Sequence, residues 1–80
     1  MDWRDHIHSD PGILGGKPTF KGTRYTVERV LKLVGAGWNA QQIAEEYPGI
    51  EPHHLQAAAQ FAAYLIHDED YVAINKARAA

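Results

Sequence analysis

EPHHLQAAAQFAAYLI, residues 51–66, is the stretch that decides the fold of this chain. At 100° per residue, one broad arc holds Leu55, Ala58, Ala59, Phe61, Ala62, Leu65 and Ile66, and the other side holds Gln56, Gln60, Tyr64 and His67. Pro52 suits the first helical position, and Glu51 brings a negative charge to the positive end of the helix dipole. The pattern therefore predicts an amphipathic helix from about Pro52 to His67, whose alanines let a partner helix approach closely.

The length and composition favour a single small domain. Eighty residues bury only roughly 60% of their unfolded surface, so homodimerisation is an expected aid to stability. The chain has no cysteine, which removes disulfides and thiolate metal sites. No run reaches the length of a membrane span, and the N-terminus lacks the apolar core of a signal peptide, so we expect a soluble, cytoplasmic protein without a membrane partner.

The charge is small overall but unevenly distributed. A formal net charge of −2 argues against nucleic-acid binding that is driven by the overall charge of the molecule. Between residues 17 and 32, however, one acid, Glu28, stands among five cations, which are Lys17, Lys21, Arg24, Arg29 and Lys32. The sequence thus predicts a local basic face, followed by a more acidic second half.

The N-terminal segment reads as turns and short strands. Residues 9–12, Ser-Asp-Pro-Gly, form a turn signature. Before it, His6-Ile7-His8 alternates like an edge strand, which would place both histidines on one face at a spacing able to hold a metal. No further ligand is near in sequence, so the plain interpretation is two solvated histidines.

Residues 13–25 are dense in Gly and Pro, with β-forming residues between them. Thr19-Phe20 and Thr23-Arg24-Tyr25 flank Lys21-Gly22 as two short strands flank a tight turn, which predicts a small hairpin or paired extended segments. Gly15-Gly16-Lys17 resembles a phosphate loop only superficially, because no Ser or Thr follows the lysine and Pro18 blocks the helix that would cradle a phosphate.

Two shorter helices precede the long one. Thr26 is a suitable N-cap for a helix from about Val27 to Ala36, whose apolar residues recur at helical spacing before Gly35 and Gly37. Asn39 and Gln42 form a capping pair for a second helix that Pro48-Gly49 ends. The sequence therefore predicts a mainly α domain over residues 1–67, with three helices in a homeodomain-like or winged-helix-like helix-turn-helix arrangement and a short N-terminal β hairpin.

Residues 68–80 form a C-terminal tail in this interpretation. The acidic Asp68-Glu69-Asp70 precedes a small apolar patch of Tyr71, Val72 and Ile74, and the chain is too short for the patch to build a core of its own. The pattern predicts a tail that is either frayed or docked on another chain.

The residues do not assemble the usual signature of an enzyme. The only serine, Ser9, lies in a turn, and the acids fall mainly on exposed helical faces or in the tail. His53 and His54 are adjacent on a helix and point about 100° apart, so they do not readily share one ion. We therefore expect no catalytic residue, no cofactor, no metal site and no small-molecule substrate.

Nucleic-acid binding is the sharper hypothesis. The second helix of a helix-turn-helix commonly lies in the major groove, and Gln56 and Gln60 are one turn apart and able to read adenine edges. That helix has no Lys or Arg, so Lys17, Lys21, Arg24, Arg29 or Lys32 would have to supply the phosphate contacts, doubled by a dimer. The alternative is a solvated or protein-facing surface formed by Gln56, Gln60 and Tyr64.

Several motifs together resemble a known family. They are DPGILGGKP at 10–18, KGTR at 21–24, GAGW at 35–38, IAEEYP at 43–48, LQAA at 55–58 and AAY at 62–64. This pattern, from about His6 to Ile66, is similar to the small prokaryotic family of domains of unknown function numbered 433. A departure from the commoner pattern is Trp38-Asn39, which keeps a helix cap and adds a large aromatic that covers the core or a dimer seam.

The resemblance implies a homeodomain-like helix-turn-helix and the antitoxin half of a type II toxin–antitoxin pair, with a PIN-like ribonuclease as its toxin. We expect a homodimer that binds operator DNA through Lys17, Lys21, Arg24, Gln56 and Gln60. We expect the tail to bind the toxin through Tyr71, Val72 and Ile74, since an acidic and apolar segment suits a basic groove. The alternative is a dimeric protein-interaction module that does not bind DNA.

Overall fold

The computed structural model describes residues 1–67 and confirms the mainly α class. Three helices, α1 (Val27–Gly35), α2 (Ala40–Glu46) and α3 (Pro52–Ile66), follow two short antiparallel strands, β1 (Ile7–His8) and β2 (Thr19–Phe20). Single 3-10 turns at Trp3–Asp5 and Leu14–Gly16 precede each strand. None of the helices within residues 1–67 has the length and apolar content needed to cross a membrane. The predicted tail and its residues Tyr71, Val72 and Ile74 lie outside the described residues.

The helix boundaries follow the capping residues that the sequence predicts. The Arg29 N–H donates to Thr26 Oγ1 at 3.1 Å at the start of α1. Asn39 and Gln42 exchange two hydrogen bonds of 2.8 Å each at the start of α2, which completes a capping box. After α1, Gly37 adopts a φ of 96°, and the Trp38 N–H reaches back to the Leu33 carbonyl at 3.0 Å. This left-handed residue ends the helix, as the glycine pattern predicts.

The strand partner of β2 is β1 and not the segment at residues 23–25 that the sequence predicts. β2 pairs with β1, so Ile7 faces Phe20 and His8 faces Thr19. The predicted pairing around Lys21-Gly22 is present as a tight turn, in which the Phe20 N–H donates to the Tyr25 carbonyl at 3.2 Å, and as a bridge between Thr19 and Thr26. The extended segment at 6–8 was predicted, but its partner depends on a chain reversal at residues 9–18 that local patterns do not determine.

The core lies between the N-terminal half of α3, the strands and α1. Its buried apolar members are Ile7, Phe20, Val27, Val30, Ile43, Ile50, Ala57 and Ala58, with Trp38 packed at its edge. The buried stripe of α3 runs through His54, Ala57 and Ala58, so it is rotated relative to the predicted arc, and Leu65 and Ile66 are exposed. The reason is the N-terminal segment, which packs on the side of α3 that the helical periodicity assigned to solvent.

The N-terminal 3-10 turn was not predicted, and it covers part of α3. The Trp3 ring lies 4.9 Å from the ring of Phe61 and 5.4 Å from that of Tyr64, measured between centroids. Asp2 caps this turn by accepting from the Arg4 N–H at 3.0 Å. Trp3 thus ties this turn to α3.

Candidate functional site

A cleft beside α1 collects the cations of the N-terminal half. Its volume is about 700 Å³, and its walls come from α1, from the loops at residues 14–17 and 24–26, and from the end of α2. Four cations and one acid line it, namely Lys17, Arg24, Arg29, Lys32 and Glu28. We call this surface the cationic cleft.

Local structure positions each of these cations. Arg29 and Lys32 are three residues apart on α1 and therefore lie on one face of the helix. Arg24 follows a tight turn that Thr23 closes by donating its hydroxyl to the Phe20 carbonyl at 2.9 Å. Gly22 in this turn has a φ of 79°, a conformation that glycine adopts without strain.

The cations of the cleft are not all neutralised by the protein. Glu28 contacts Lys17 at 3.2 Å and Lys32 at 3.5 Å, and the hydrogen bond from Lys17 is the main reason why the pKa of Glu28 lies below its usual value. Within residues 1–67, Arg24 and Arg29 have no carboxylate partner, and Arg29 contacts only the Tyr47 hydroxyl, at 3.5 Å. Two arginines therefore remain for an anionic ligand.

Two tyrosines form the aromatic wall of the cationic cleft. Tyr25 and Tyr47 meet edge to face with ring centroids 5.1 Å apart, and the Tyr25 hydroxyl donates to the Pro48 carbonyl at 3.4 Å. This contact ties the β segment to the turn between α2 and α3. Guanidinium groups and aromatic rings on one fixed wall can hold phosphate oxygens and stack on a planar group.

The predicted DNA-binding residues separate into two sets. Lys17 and Arg24 line the cationic cleft together with Arg29 and Lys32. Lys21 is exposed at the neighbouring turn and does not line the cleft, and Gln56 and Gln60 are exposed on α3. No residue of α3 is part of the cleft lining. The structure thus gathers the cations but does not bring them to the two glutamines.

An apolar groove runs between α1 and the C-terminal half of α3. Val27 and Leu31 form one wall and Phe61, Ala62 and Leu65 the other, with a volume of about 560 Å³. Beyond it, the side chains of Tyr64, Leu65 and Ile66 are each more than half exposed. An exposed apolar patch of this kind on a small domain is typical of an interface.

A second polar centre lies where β1 meets the first turn of α3. We call it the histidine cluster, and it consists of His6, Glu51, His53 and His54. The Glu51 N–H donates to His54 Nδ1 at 2.9 Å, so His54 caps α3 from within the core. Burial is the main reason why the pKa of His54 is lowered, and nearby His53 adds to the effect. Contrary to the expectation from helix geometry, the rings of His53 and His54 lie only 4.1 Å apart.

Sequence reasoning did not find this cluster because His6 is 45 or more residues away from its neighbours. The His6 ring lies 4.9 Å from that of His53 and 6.4 Å from that of His54. One signal was available in the sequence, since two histidines lie at the predicted edge strand and two more at the predicted start of α3. Only the pairing of β1 with β2 brings the two together.

Comparison with known proteins gives a family but no activity. The family model described as "Protein of unknown function (DUF433)" matches residues 7–62. A similar protein, "Uncharacterized protein y4eO" of Sinorhizobium fredii, is 34% identical over 59 residues, which cover 74% of this chain. The chain spans only 27% of the length of that relative. No solved structure matches the chain. The family match covers most of the described domain, and the chain belongs to the DUF433 family.

Proposed function

We propose that this protein is the antitoxin of a type II toxin–antitoxin system, which binds operator DNA as a homodimer and neutralises a PIN-like ribonuclease. The similarity of its motifs to the DUF433 family supports the antitoxin role. The cationic cleft is the observation that carries the DNA-binding part of the proposal. Among residues 1–67 it offers two arginines, Arg24 and Arg29, without a carboxylate partner, although the net charge of the chain is −2.

The cleft suits phosphate contacts better than base reading. Phosphate neutralisation supplies most of the affinity of ordinary DNA binders, and fixed guanidinium groups hold phosphate oxygens in bidentate geometry. A twofold dimer presents the cleft twice, which doubles the number of cations on the DNA. The exposed amides of Gln56 and Gln60 remain available for base edges, on a different surface from the cleft.

The composition of the cleft favours binding over catalysis. Its single carboxylate, Glu28, is already paired with two lysines, and its lining contains neither histidine nor serine. A general base and a nucleophile within hydrogen-bond reach are the minimum for most hydrolytic mechanisms. We therefore propose a binding protein and not an enzyme.

A salt titration of operator binding tests the proposal. We expect the affinity of the full chain for the DNA upstream of its own gene to fall steeply with salt, with a slope of about −0.9 per phosphate contact. Replacing both Arg24 and Arg29 with Gln should make the slope shallower, by about 0.9 for each lost contact. The matched control is Arg4→Gln, which removes an exposed arginine that does not line the cleft and should leave the slope close to that of the wild type.

A different result favours the alternative function. If the DNA does not bind, or binds without salt dependence, the DNA-binding part of the proposal is wrong. The apolar groove between α1 and α3 then supports a dimeric protein-interaction module, since it provides a contact surface that needs no phosphate partner.

The toxin-binding part of the proposal rests on residues 68–80. A chain truncated after His67 keeps every residue of the described domain and removes Tyr71, Val72 and Ile74. We expect the full chain, but not the truncated one, to co-purify with the ribonuclease encoded beside it. Equal recovery of the toxin by both chains would remove the tail from the mechanism.

A further inference from the structure

The histidine cluster combines side chains that the DNA-binding proposal does not use. His6 comes from the segment that leads into β1, and its carbonyl is fixed by the Lys21 N–H at 2.8 Å. Glu51 and His53 come from the start of α3, where the Glu51 carboxylate is well exposed and the His53 ring is partly exposed. Two imidazoles and a carboxylate thus meet at a site that solvent can reach.

Two distances in this cluster match those around a tetrahedral metal ion. His53 Nδ1 and Glu51 Oε2 are 3.4 Å apart. Two ligand atoms bound at about 2.05 Å to one tetrahedral zinc stand about 3.3 Å apart. The rings of His6 and His53 have centroids 4.9 Å apart, and two imidazoles on one such ion have centroids about 5.2 Å apart. The His6 ring would have to rotate to bring one of its nitrogens to an ion held by Glu51 and His53.

His54 has a different role in this geometry. Glu51, His53 and His54 each present one ligand atom within 4.8 Å of the others. However, His54 Nδ1 already accepts the Glu51 N–H, which leaves the proton of the neutral ring on Nε2. No lone pair of His54 remains for a metal unless that hydrogen bond breaks. His54 therefore holds the turn that positions Glu51 and His53.

We propose that His6, Glu51 and His53 bind a divalent transition metal ion such as Zn²⁺, with His54 as a positioning residue. Imidazole and carboxylate are ligands that zinc prefers in proteins, and three protein ligands leave a fourth position for water or for a group from a partner. The ion would join the N-terminal segment to α3. None of the three ligands lines the cationic cleft, so the metal site and DNA binding can be tested separately.

Isothermal titration of the untagged full chain with zinc sulfate tests this site. We expect one zinc per chain, and an affinity at least about tenfold lower for His53→Ala, because even outer-shell changes cost 10- to 100-fold. His8→Ala is the matched control, since His8 is exposed and belongs to the neighbouring strand position. It should keep the wild-type affinity. Circular dichroism of each variant without zinc checks that the helices are unchanged.

Two further variants test the assignment of the ligands. His6→Ala should lower the zinc affinity at least about tenfold, as His53→Ala does. His54→Gln keeps a capping acceptor at the third helical position, so it should lose less zinc affinity than His54→Ala, which removes the acceptor. Zinc should raise the melting temperature of the wild type and of His54→Gln, but not that of His53→Ala.

Three results would overturn the proposal. The first is the absence of zinc binding by the wild-type chain. The second is equal affinity in the wild type, His53→Ala and His8→Ala, which would indicate adventitious binding only. The third is a loss of affinity in His54→Gln as large as in His53→Ala, with unchanged helicity, which would show that the ligands are assigned wrongly.

Discussion

The two halves of α3 differ in composition and in environment, because most of the large apolar residues lie in the second half, whereas the buried residues lie in the first. In the N-terminal half, His54, Ala57 and Ala58 are buried, and the ring of Phe20 meets that of His54 edge to face at 5.2 Å. In the C-terminal half, Leu65 and Ile66 remain 57% and 58% exposed. The difference teaches that the core of this small domain closes mainly around the first half of the helix, with Phe61 of the second half packed at its edge. The second half is an apolar surface available to a partner.

The largest effect is expected where the first half of α3 meets the sheet. Phe20→Ala empties a fully buried position and should lower the free energy of unfolding by about 3–5 kcal/mol. Urea denaturation followed by circular dichroism measures this loss. A loss of unfolding free energy below about 1 kcal/mol would mean that the sheet does not form part of the core. It would also mean that the two halves of α3 differ less in burial than described.

The same substitution, alanine to leucine, made once in each half of α3 compares the two halves directly. Ala58→Leu adds bulk at a fully buried position and should destabilise the domain by about 1–3 kcal/mol. Ala63→Leu makes the same change at an exposed position of the second half and should stay within about 0.5 kcal/mol of the wild type. Thermal or urea unfolding of both variants measures the difference. Equal losses would contradict the division of α3 into a buried and an exposed half.

The second half is expected to matter for association more than for folding. Under the proposed homodimer, Leu65→Ser should raise the dissociation constant of the dimer about tenfold, an effect of about 1.4 kcal/mol, because Leu65 borders the apolar groove. Sedimentation equilibrium measures the constant. Ile13→Ser is the control, since Ile13 is another exposed apolar residue that does not line the groove. A dimer weakened equally by both changes would place the interface elsewhere.

The smallest effect concerns the charges at the border of the groove. Glu28 lies between Lys17 and Lys32, and its pKa is lowered from its ordinary value of 4.5, mainly by the hydrogen bond from Lys17. A lowered folded-state pKa stabilises the domain above pH 4.5, and this contribution is lost as the pH falls through the folded-state value.

The unfolding free energies of the wild type and Glu28→Gln should therefore differ slightly at neutral pH and converge in acid. The difference should shrink in 1 M salt, because all three side chains are exposed. Urea unfolding between about pH 3 and pH 7 measures it. A difference that grows as the pH falls would contradict the assigned direction of the pKa shift.

The helices of this domain were predictable because their signals are local. Thr26, the Asn39–Gln42 pair and Pro52 mark helix starts within a few residues, and each marks the observed boundary. Which face of α3 is buried was less predictable from the sequence. Its buried face meets Phe20 of the sheet at His54, and Trp3 of the N-terminal turn packs farther along at Phe61; both partners are distant in sequence.

Of the two candidate sites, the cationic cleft was predictable from the local sequence and the histidine cluster was not. The clustering of cations between residues 17 and 32 is a local property of the sequence, and Lys17, Arg24, Arg29 and Lys32 do share one cleft. That this cleft lies on a different surface from Gln56 and Gln60 could be seen only from the three-dimensional packing of α1. The histidine cluster could also be seen only from the packing, since His6 and His53 meet only through the pairing of β1 with β2.

The central proposal is that this DUF433 protein neutralises a ribonuclease toxin. The most direct measurement is the growth of cells that express the proposed PIN-like ribonuclease toxin, with and without this protein. The proposal predicts that the ribonuclease alone arrests growth and that co-expression of the full chain restores it. An equal arrest in the presence of the folded, expressed full chain would contradict the antitoxin function.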